Sequence, residues 1–315
     1  MKIVFLEPLG IPMKRLIEVI ENRIDAEENQ IVYYDNRAED AETLIERSKD
    51  AEVVILSNFK FGKNIIEECP KLKMICVAFT GVDHVDIAYC RERGIKVCNC
   101  AGYSTVAVAD LVFGFVIGLT RNMIACDHAV RDQKTKDGLV GYELEGKKFG
   151  VIGLGAIGSR VAKIADAFGC EVYGYNRSPK NLKNVKQVSL DELLEKCDIV
   201  SVHLPLNNET RGFLNRERLG KMKPSAILIN TARGPVVDNE ALAQLLNEEK
   251  VAAAGVDVFD MEPPIPDDYP LLHCKNIMLT PHVAFASQQA FEKRAVIVAD
   301  NIKGFLEGNI CNQVV

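Results

Sequence analysis

Residues 150–169 read GVIGLGAIGSRVAKIADAFG, and no other stretch of the chain narrows its fold as far. A short β-type run leads into Gly153, Gly155 and Gly158 in G-x-G-x-x-G spacing, and an alanine-rich helical pattern follows at once. Strand, glycine turn and helix in that order open a βαβ unit that binds dinucleotides. Gly153 would allow the tight turn, Gly155 would let backbone approach a diphosphate, and Gly158 would let helix and strand pack closely. The diphosphate would rest on N–H groups at the helix N-terminus. A glycine turn that merely packs is the bland alternative, and the ordered context favours the binding reading.

The rest of the chain agrees with that unit. KIVFL, QIVYY, AEVVILS, KMICVAF and IKVCN read as strands between amphipathic stretches such as PMKRLIEVIENR and FGKNIIEECP. A second series runs KFGVIGLG, EVYGY, DIVSVHLP, AILINTA, AAAGVDVF and NIMLTPH. The pattern predicts an α/β protein of two doubly wound parallel-sheet lobes. Between the series, the apolar stretch from Ser104 to Met123 predicts one long helix, either a core helix joining the lobes or a surface for a second subunit. Asp110 and several glycines argue against a membrane span there. QQAFEKRAVIVADNIKGFLEG predicts a final amphipathic helix, and its return to the first lobe would make the domains discontinuous.

Composition excludes several classes of function. A net charge of -6 and no long Lys/Arg run argue against nucleic acid as partner. The first apolar run ends at Glu7, too short for a signal-peptide core, so the expected location is the cytoplasm. Ten cysteines spread along such a chain read as reduced thiols, and the lone C-x-C pair of Cys98 and Cys100 implies no metal site.

The strand that follows the glycine helix ends at Tyr175, so Asn176 stands where an Asp or Glu usually binds the adenosine ribose hydroxyls. Asn would not repel a 2′-phosphate, Arg177 beside it would pair with one, and Ser178 would donate a hydrogen bond. This favours NADP(H); the alternative is a solvated Arg177 with Asn176 serving NAD(H). Three further residues lie just past successive strands: Arg233 in INTARGPVVD, Glu262 in VFDMEPP and His282 in LTPHVAF. In an open α/β sheet that places them at the ligand-binding edge. Arg offers a planar fork for a carboxylate, and an imidazole beside a carboxylate holds its proton more readily, so the three suit hydride transfer with acid-base catalysis.

Taken together, TGVDHVD, NCAGYSTVAVAD, GVIGLGAIGSRVA, VSVHLPLNNETRGFLN, LINTARGPVVDNEAL, AAAGVDVFDMEPP and TPHVA resemble the D-isomer-specific 2-hydroxyacid dehydrogenases through nearly the whole chain. The resemblance implies a Rossmann cofactor domain (100–283) inserted in a discontinuous flavodoxin-like substrate domain (1–99 and 284–315), a homodimer built around the long helix, and NAD(P)H-dependent reduction of 2-oxoacids. It implies Arg233 as the grip on the substrate carboxylate, His282 as proton donor and Glu262 as its partner. It also implies carboxylate-binding amides at Thr80 and Gly81 and a substrate contact at Tyr103. Cofactor contacts implied in the same way are Ala156, Ile157, Leu204, Pro205, Thr210, Thr231, Ala232 and Asp257. The chain departs from the family at Asn176, at Asp110 in place of the usual Glu, and in lacking a Trp before the Rossmann strand.

The reading is reduction of a small 2-oxoacid to a D-2-hydroxyacid. Within the family, a phosphoglycerate dehydrogenase-type enzyme is the alternative, weakened because the chain ends soon after its last helix. A non-catalytic dinucleotide-sensing protein that binds a partner is the alternative of another class.

Overall fold

The computed structural model describes residues 1–315, which divide into two compact units: unit 1, Met1–Ser104 with Ala286–Val315, and unit 2, Thr105–Phe285. The chain crosses between them after Ser104 and after Phe285, where the sequence division put the crossings after 99 and 283.

Unit 1 holds β1 (Lys2–Phe5), β2 (Gln30–Tyr33), β3 (Val53–Leu56), β4 (Met74–Val77) and β5 (Lys96–Cys98). All pairings are parallel, in the order β2-β1-β3-β4-β5, the doubly wound arrangement of flavodoxin-like folds. Every residue of β3 and β4 is buried, as expected of central strands covered on both faces. Each such Val, Ile or Leu contributes about 1.5–3 kcal/mol on leaving water. The C-terminal helix, Gln288–Leu306, belongs to this unit. Ser287 caps it by accepting from Ala290 N at 3.1 Å, and Ala295, Val298, Ala299 and Ile302 are buried along one face.

Unit 2 carries β6 (Lys148–Ile152), β7 (Glu171–Tyr175), β8 (Val185–Gln187), β9 (Ile199–Val202), β10 (Ile227–Asn230), β11 (Ala253–Val256) and β12 (Ile277–Leu279). The sheet order is β12-β11-β10-β9-β6-β7-β8, again all parallel. Its strand order reverses between β6 and β9, which makes their carboxyl ends the expected ligand crevice. Six of these strands follow the apolar runs read from sequence. The seventh, β8, does not: its residues are Val-Lys-Gln, and an edge strand this polar carries no apolar alternation to read.

The long helix expected from Ser104 to Met123 ends sooner. It spans Thr105–Thr120, and a second helix, Met123–Arg131, leaves it at 58°. The break is at Asn122, whose φ of 52° is the left-handed conformation that Asn tolerates better than most residues. The first helix is a core element of unit 2: Val112, Phe113, Phe115 and Val116 are buried with Phe149, Val151 and Ile229, and Phe113 stacks on Phe149 at 5.7 Å. No single helix is long and apolar enough to cross a membrane. All ten cysteines are free, and seven are buried.

Candidate active site

The glycine turn sits at the carboxyl end of β6, where the sheet reverses. Gly153 has φ +95°, and a Cβ on Gly158 would lie 1.9 Å from the Gly153 carbonyl oxygen, so no larger residue fits there without moving the turn. Gly155, by contrast, is exposed with open space around its missing Cβ, and the helix Ala156–Ala167 starts immediately after it. Ala156 is exposed and Ile157 half-buried at that helix start.

Asn176, just past β7, is tied into this turn through both ends of its amide. Its Oδ1 accepts from Leu154 N at 3.0 Å, and its Nδ2 donates to the Ser178 carbonyl at 2.7 Å. A carboxylate would accept the first bond but would repel the second carbonyl. Arg177 extends into solvent, 84% exposed, and pairs with Glu209 at 2.9 Å. An exposed ion pair of this kind is worth about 0–1 kcal/mol, weak enough to exchange for another anion.

Across the crevice, Leu204 is half-buried and Pro205 exposed after β9. Thr210 closes that loop, donating to the Pro205 carbonyl at 2.6 Å while its amide donates to Asn207 Oδ1 at 3.0 Å. His203 shares a hydrogen bond with Ser201 Oγ at 2.8 Å. The residue is only partly buried, but its ring is enclosed, and that desolvation pushes its pKa down to about 3.

After β10, Thr231 is 8% exposed and its hydroxyl lacks a hydrogen-bond partner. The glycine turn with its open outer side, the helix N-terminus and this orphaned hydroxyl fit a dinucleotide laid over the sheet edge.

Arg233, Glu262 and His282 follow β10, β11 and β12, three neighbouring strands. Asn230, fully buried, shapes the first loop by accepting from Ala232 N and donating to the Arg233 carbonyl, both at 3.1 Å. Ala232 and Arg233 are half-buried there, and Arg233 Nη1 donates to the Ala232 carbonyl at 2.8 Å. Gly234 then packs against the second loop: a Cβ on it would lie 1.8 Å from the Phe259 carbonyl oxygen. Only glycine lets the loop bearing Arg233 come so close to the one that leads to Glu262.

Glu262 and His282 meet directly. His282 Nδ1 lies 2.8 Å from Glu262 Oε2 and 3.0 Å from Oε1, with the imidazole 13% exposed and the carboxylate 53% exposed. With Nδ1 held by the carboxylate, Nε2 is left as the ring nitrogen for exchanging a proton with a ligand. His282 has φ +54°, a left-handed conformation that costs a non-glycine residue about 1–2 kcal/mol.

Asp257 sustains that backbone. Completely buried, it accepts from Val283 N at 2.8 Å, Ala284 N at 2.9 Å and the Thr280 hydroxyl, and its carbonyl accepts from His282 N at 2.8 Å. The structure therefore places Asp257 beneath the histidine loop, with both carboxylate oxygens engaged. Thr80, Gly81 and Tyr103 belong to unit 1. Thr80 is exposed and Gly81 half-buried past β4, and the Thr80 carbonyl accepts from Asn99 Nδ2 at 2.8 Å. Tyr103 is 1% exposed.

Sequence reading singled out neither Asn230 nor Gly234 nor Thr280. Each lies inside a motif already noted, INTARG or LTPH, and the readable signal was a buried-type polar residue or glycine flanking a charged one at a strand end.

Residues 113–284 match the family model described as D-isomer specific 2-hydroxyacid dehydrogenase, NAD binding domain. A glyoxylate reductase of Thermofilum pendens is 39% identical over 274 residues, covering 84% of this chain and 80% of that protein. Among solved structures, an acyclic imino acid reductase in complex with NADPH and D-Arg is 31% identical with a TM-score of 0.92, each chain covered in full. D-Lactate dehydrogenase from Aquifex aeolicus, complexed with NAD and lactic acid, is 30% identical with a TM-score of 0.86, covering 97% of this chain and 96% of that one. The chain belongs to the D-isomer-specific 2-hydroxyacid dehydrogenase family. It is an oxidoreductase whose Rossmann unit takes a nicotinamide dinucleotide.

Proposed function

We propose that this protein reduces a small 2-oxoacid to the D-2-hydroxyacid, with NADP(H) favoured over NAD(H). The observation that carries the reading is the 2.8 Å contact of His282 Nδ1 with Glu262, set on strand ends next to the one that bears Arg233. Bound nicotinamide would supply hydride to the carbonyl carbon. Arg233 would hold the substrate carboxylate and polarise its carbonyl, a task for a planar, permanently charged fork. Thr80 and Gly81 would offer backbone amides to the same carboxylate, and Tyr103 would contact the substrate. His282 Nε2 would hand its proton to the developing alkoxide, while Glu262 keeps the ring oriented. In the oxidation direction His282 would accept that proton. These roles make unit 2 the cofactor domain and unit 1 the substrate domain.

Gly153, Gly155, Ala156, Ile157 and Gly158 would receive the diphosphate. Leu204, Pro205, Thr210, Thr231 and Ala232 would line the rest of the dinucleotide, with Asp257 and His282 near its nicotinamide end. Asn176, Arg177 and Ser178 would receive a 2′-phosphate, and NADPH in the similar imino acid reductase supports this choice. The exposed apolar side chains of Met123, Ile124, Val130 and Val140 support a homodimer, and the cytoplasm remains the proposed location. The test is His282→Ala: turnover of a 2-oxoacid should fall by at least about 10²-fold with NADPH still bound, and unchanged turnover would contradict the assignment.

A further inference from the structure

Within unit 1, one full charge is buried without an ion-pair partner. Arg294 lies on the inward face of the helix Gln288–Leu306 among Ala290, Ala295, Val298 and Ala299, a position where the helical pattern calls for an apolar residue, and it is 4% exposed. No carboxylate forms an ion pair with it. Glu7, whose charge acts on it, is committed to Arg37 Nη1 at 2.8 Å and to Ser57 N at 2.7 Å. Arg294 Nη1 donates to the Ala78 carbonyl at 3.4 Å and Nη2 to the Leu9 carbonyl, while Nε–H has no acceptor.

Tyr103 is the neighbour in the same condition. The Arg294 guanidinium lies over its ring at 5.7 Å, the residue is 1% exposed, and its hydroxyl has no hydrogen-bond partner. Burial pushes the phenol up to about 12, so it stays protonated and able to donate. The two side chains act on each other, but neither Arg294 Nε–H nor the Tyr103 hydroxyl reaches an acceptor at hydrogen-bond geometry, and the positive charge has no ion-pair partner, a costly state for buried groups. Both side chains flank the turn after β4: Ala78 takes the Arg294 bond, and the Phe79 ring lies 6.0 Å from that of Tyr103. Thr80 and Gly81 come next.

We propose that Arg294 and Tyr103 form a subsite for a second carboxylate, at the distal end of the substrate, so that the preferred substrates are 2-oxo dicarboxylic acids. A hydroxyl or methyl group there would leave the guanidinium uncompensated; a carboxylate accepts from both donors and neutralises the charge. The proposal rests on the reading of Thr80 and Gly81 as the turn that receives the 2-oxoacid carboxylate.

The test compares oxaloacetate with 2-oxobutyrate, which differ by a carboxylate against a methyl group, on the full-length protein. The native protein should favour oxaloacetate in kcat/KM by about 10²-fold or more. Arg294→Met, close in volume and uncharged, should cut that preference by about 10²-fold, and Arg294→Lys should restore part of it. A native protein that uses 2-oxobutyrate as well as oxaloacetate overturns the proposal without any variant having to fold, and so does an unmoved preference in a folded Arg294→Met. Turnover of glyoxylate or pyruvate but of neither test substrate overturns the subsite alone, whereas turnover of no oxoacid contradicts the 2-oxoacid reading and this subsite with it.

Discussion

Asp257 holds His282 in a backbone conformation that the histidine would not adopt by itself. Its carbonyl accepts the His282 amide at 2.8 Å, and its carboxylate takes the amides of Val283 and Ala284 next along the chain. Those bonds offset the cost of a histidine at φ +54° and fix the ring beside Glu262. Asp257→Ala should therefore lower stability by about 2–5 kcal/mol, because the buried Ala284 amide and the part-buried Val283 amide lose their acceptor, and should remove most activity. Denaturant unfolding with an activity assay checks both; a stable, active variant would show that the loop holds itself.

Glu262→Gln keeps an acceptor for His282 Nδ1 but removes the negative charge. The kcat for reduction should fall by about 10²–10⁴-fold with cofactor binding retained. A kcat within threefold of native, about 0.7 kcal/mol in barrier, would reduce Glu262 to a surface residue.

At the adenosine end, Arg177→Ala should raise KM for NADPH far more than for NADH. Glu209, its ion-pair partner at 2.9 Å, competes with a 2′-phosphate for the same guanidinium, so Glu209→Ala should lower KM for NADPH. Equal effects on the two cofactors in both variants would sink the phosphate assignment.

Gly234→Ala adds a methyl group 1.8 Å from the Phe259 carbonyl and must push apart the loops of Arg233 and Glu262. A loss of about 1–3 kcal/mol in stability, together with a larger loss in kcat than in cofactor affinity, is expected from paired unfolding and kinetic measurements.

His203 gives a pH signature. Its folded pKa of about 3 lies below the ordinary 6.5, so the unfolded chain binds the proton first as pH falls. The stability that depends on neutral His203 is complete above 6.5 and is lost as pH drops from there towards 3. His203→Gln should lose about 1–2 kcal/mol less than the native protein between about pH 7 and 5, measured by denaturant unfolding at each pH. Parallel curves would mean that the ring is protonated without penalty.

Much of this was legible in the sequence because the central strands are continuous apolar runs and glycine is sterically required at Gly158. Arg233, Glu262 and His282 were readable because each follows a strand end, and a parallel sheet gathers such ends on one edge. What escaped reading depends on tertiary partners. The three-residue strand β8 exists through its pairing with β7, and the helix break at Asn122 needs no glycine or proline to announce it. Asn176 is more than a missing acid: its amide makes two bonds that a carboxylate would not make together. Arg294 falls on the apolar face of its helix by period, but that its charge stays there without an ion-pair partner depends on what packs around it.

The proposed reaction is reduction of a 2-oxoacid with hydride from NADPH. Initial-rate oxidation of NADPH and of NADH by the purified protein, each against pyruvate, hydroxypyruvate, glyoxylate and oxaloacetate, tests it directly. Turnover of at least one oxoacid with NADPH preferred, abolished in His282→Ala, is the expected result; oxidation of neither cofactor with any of them would rule the reaction out.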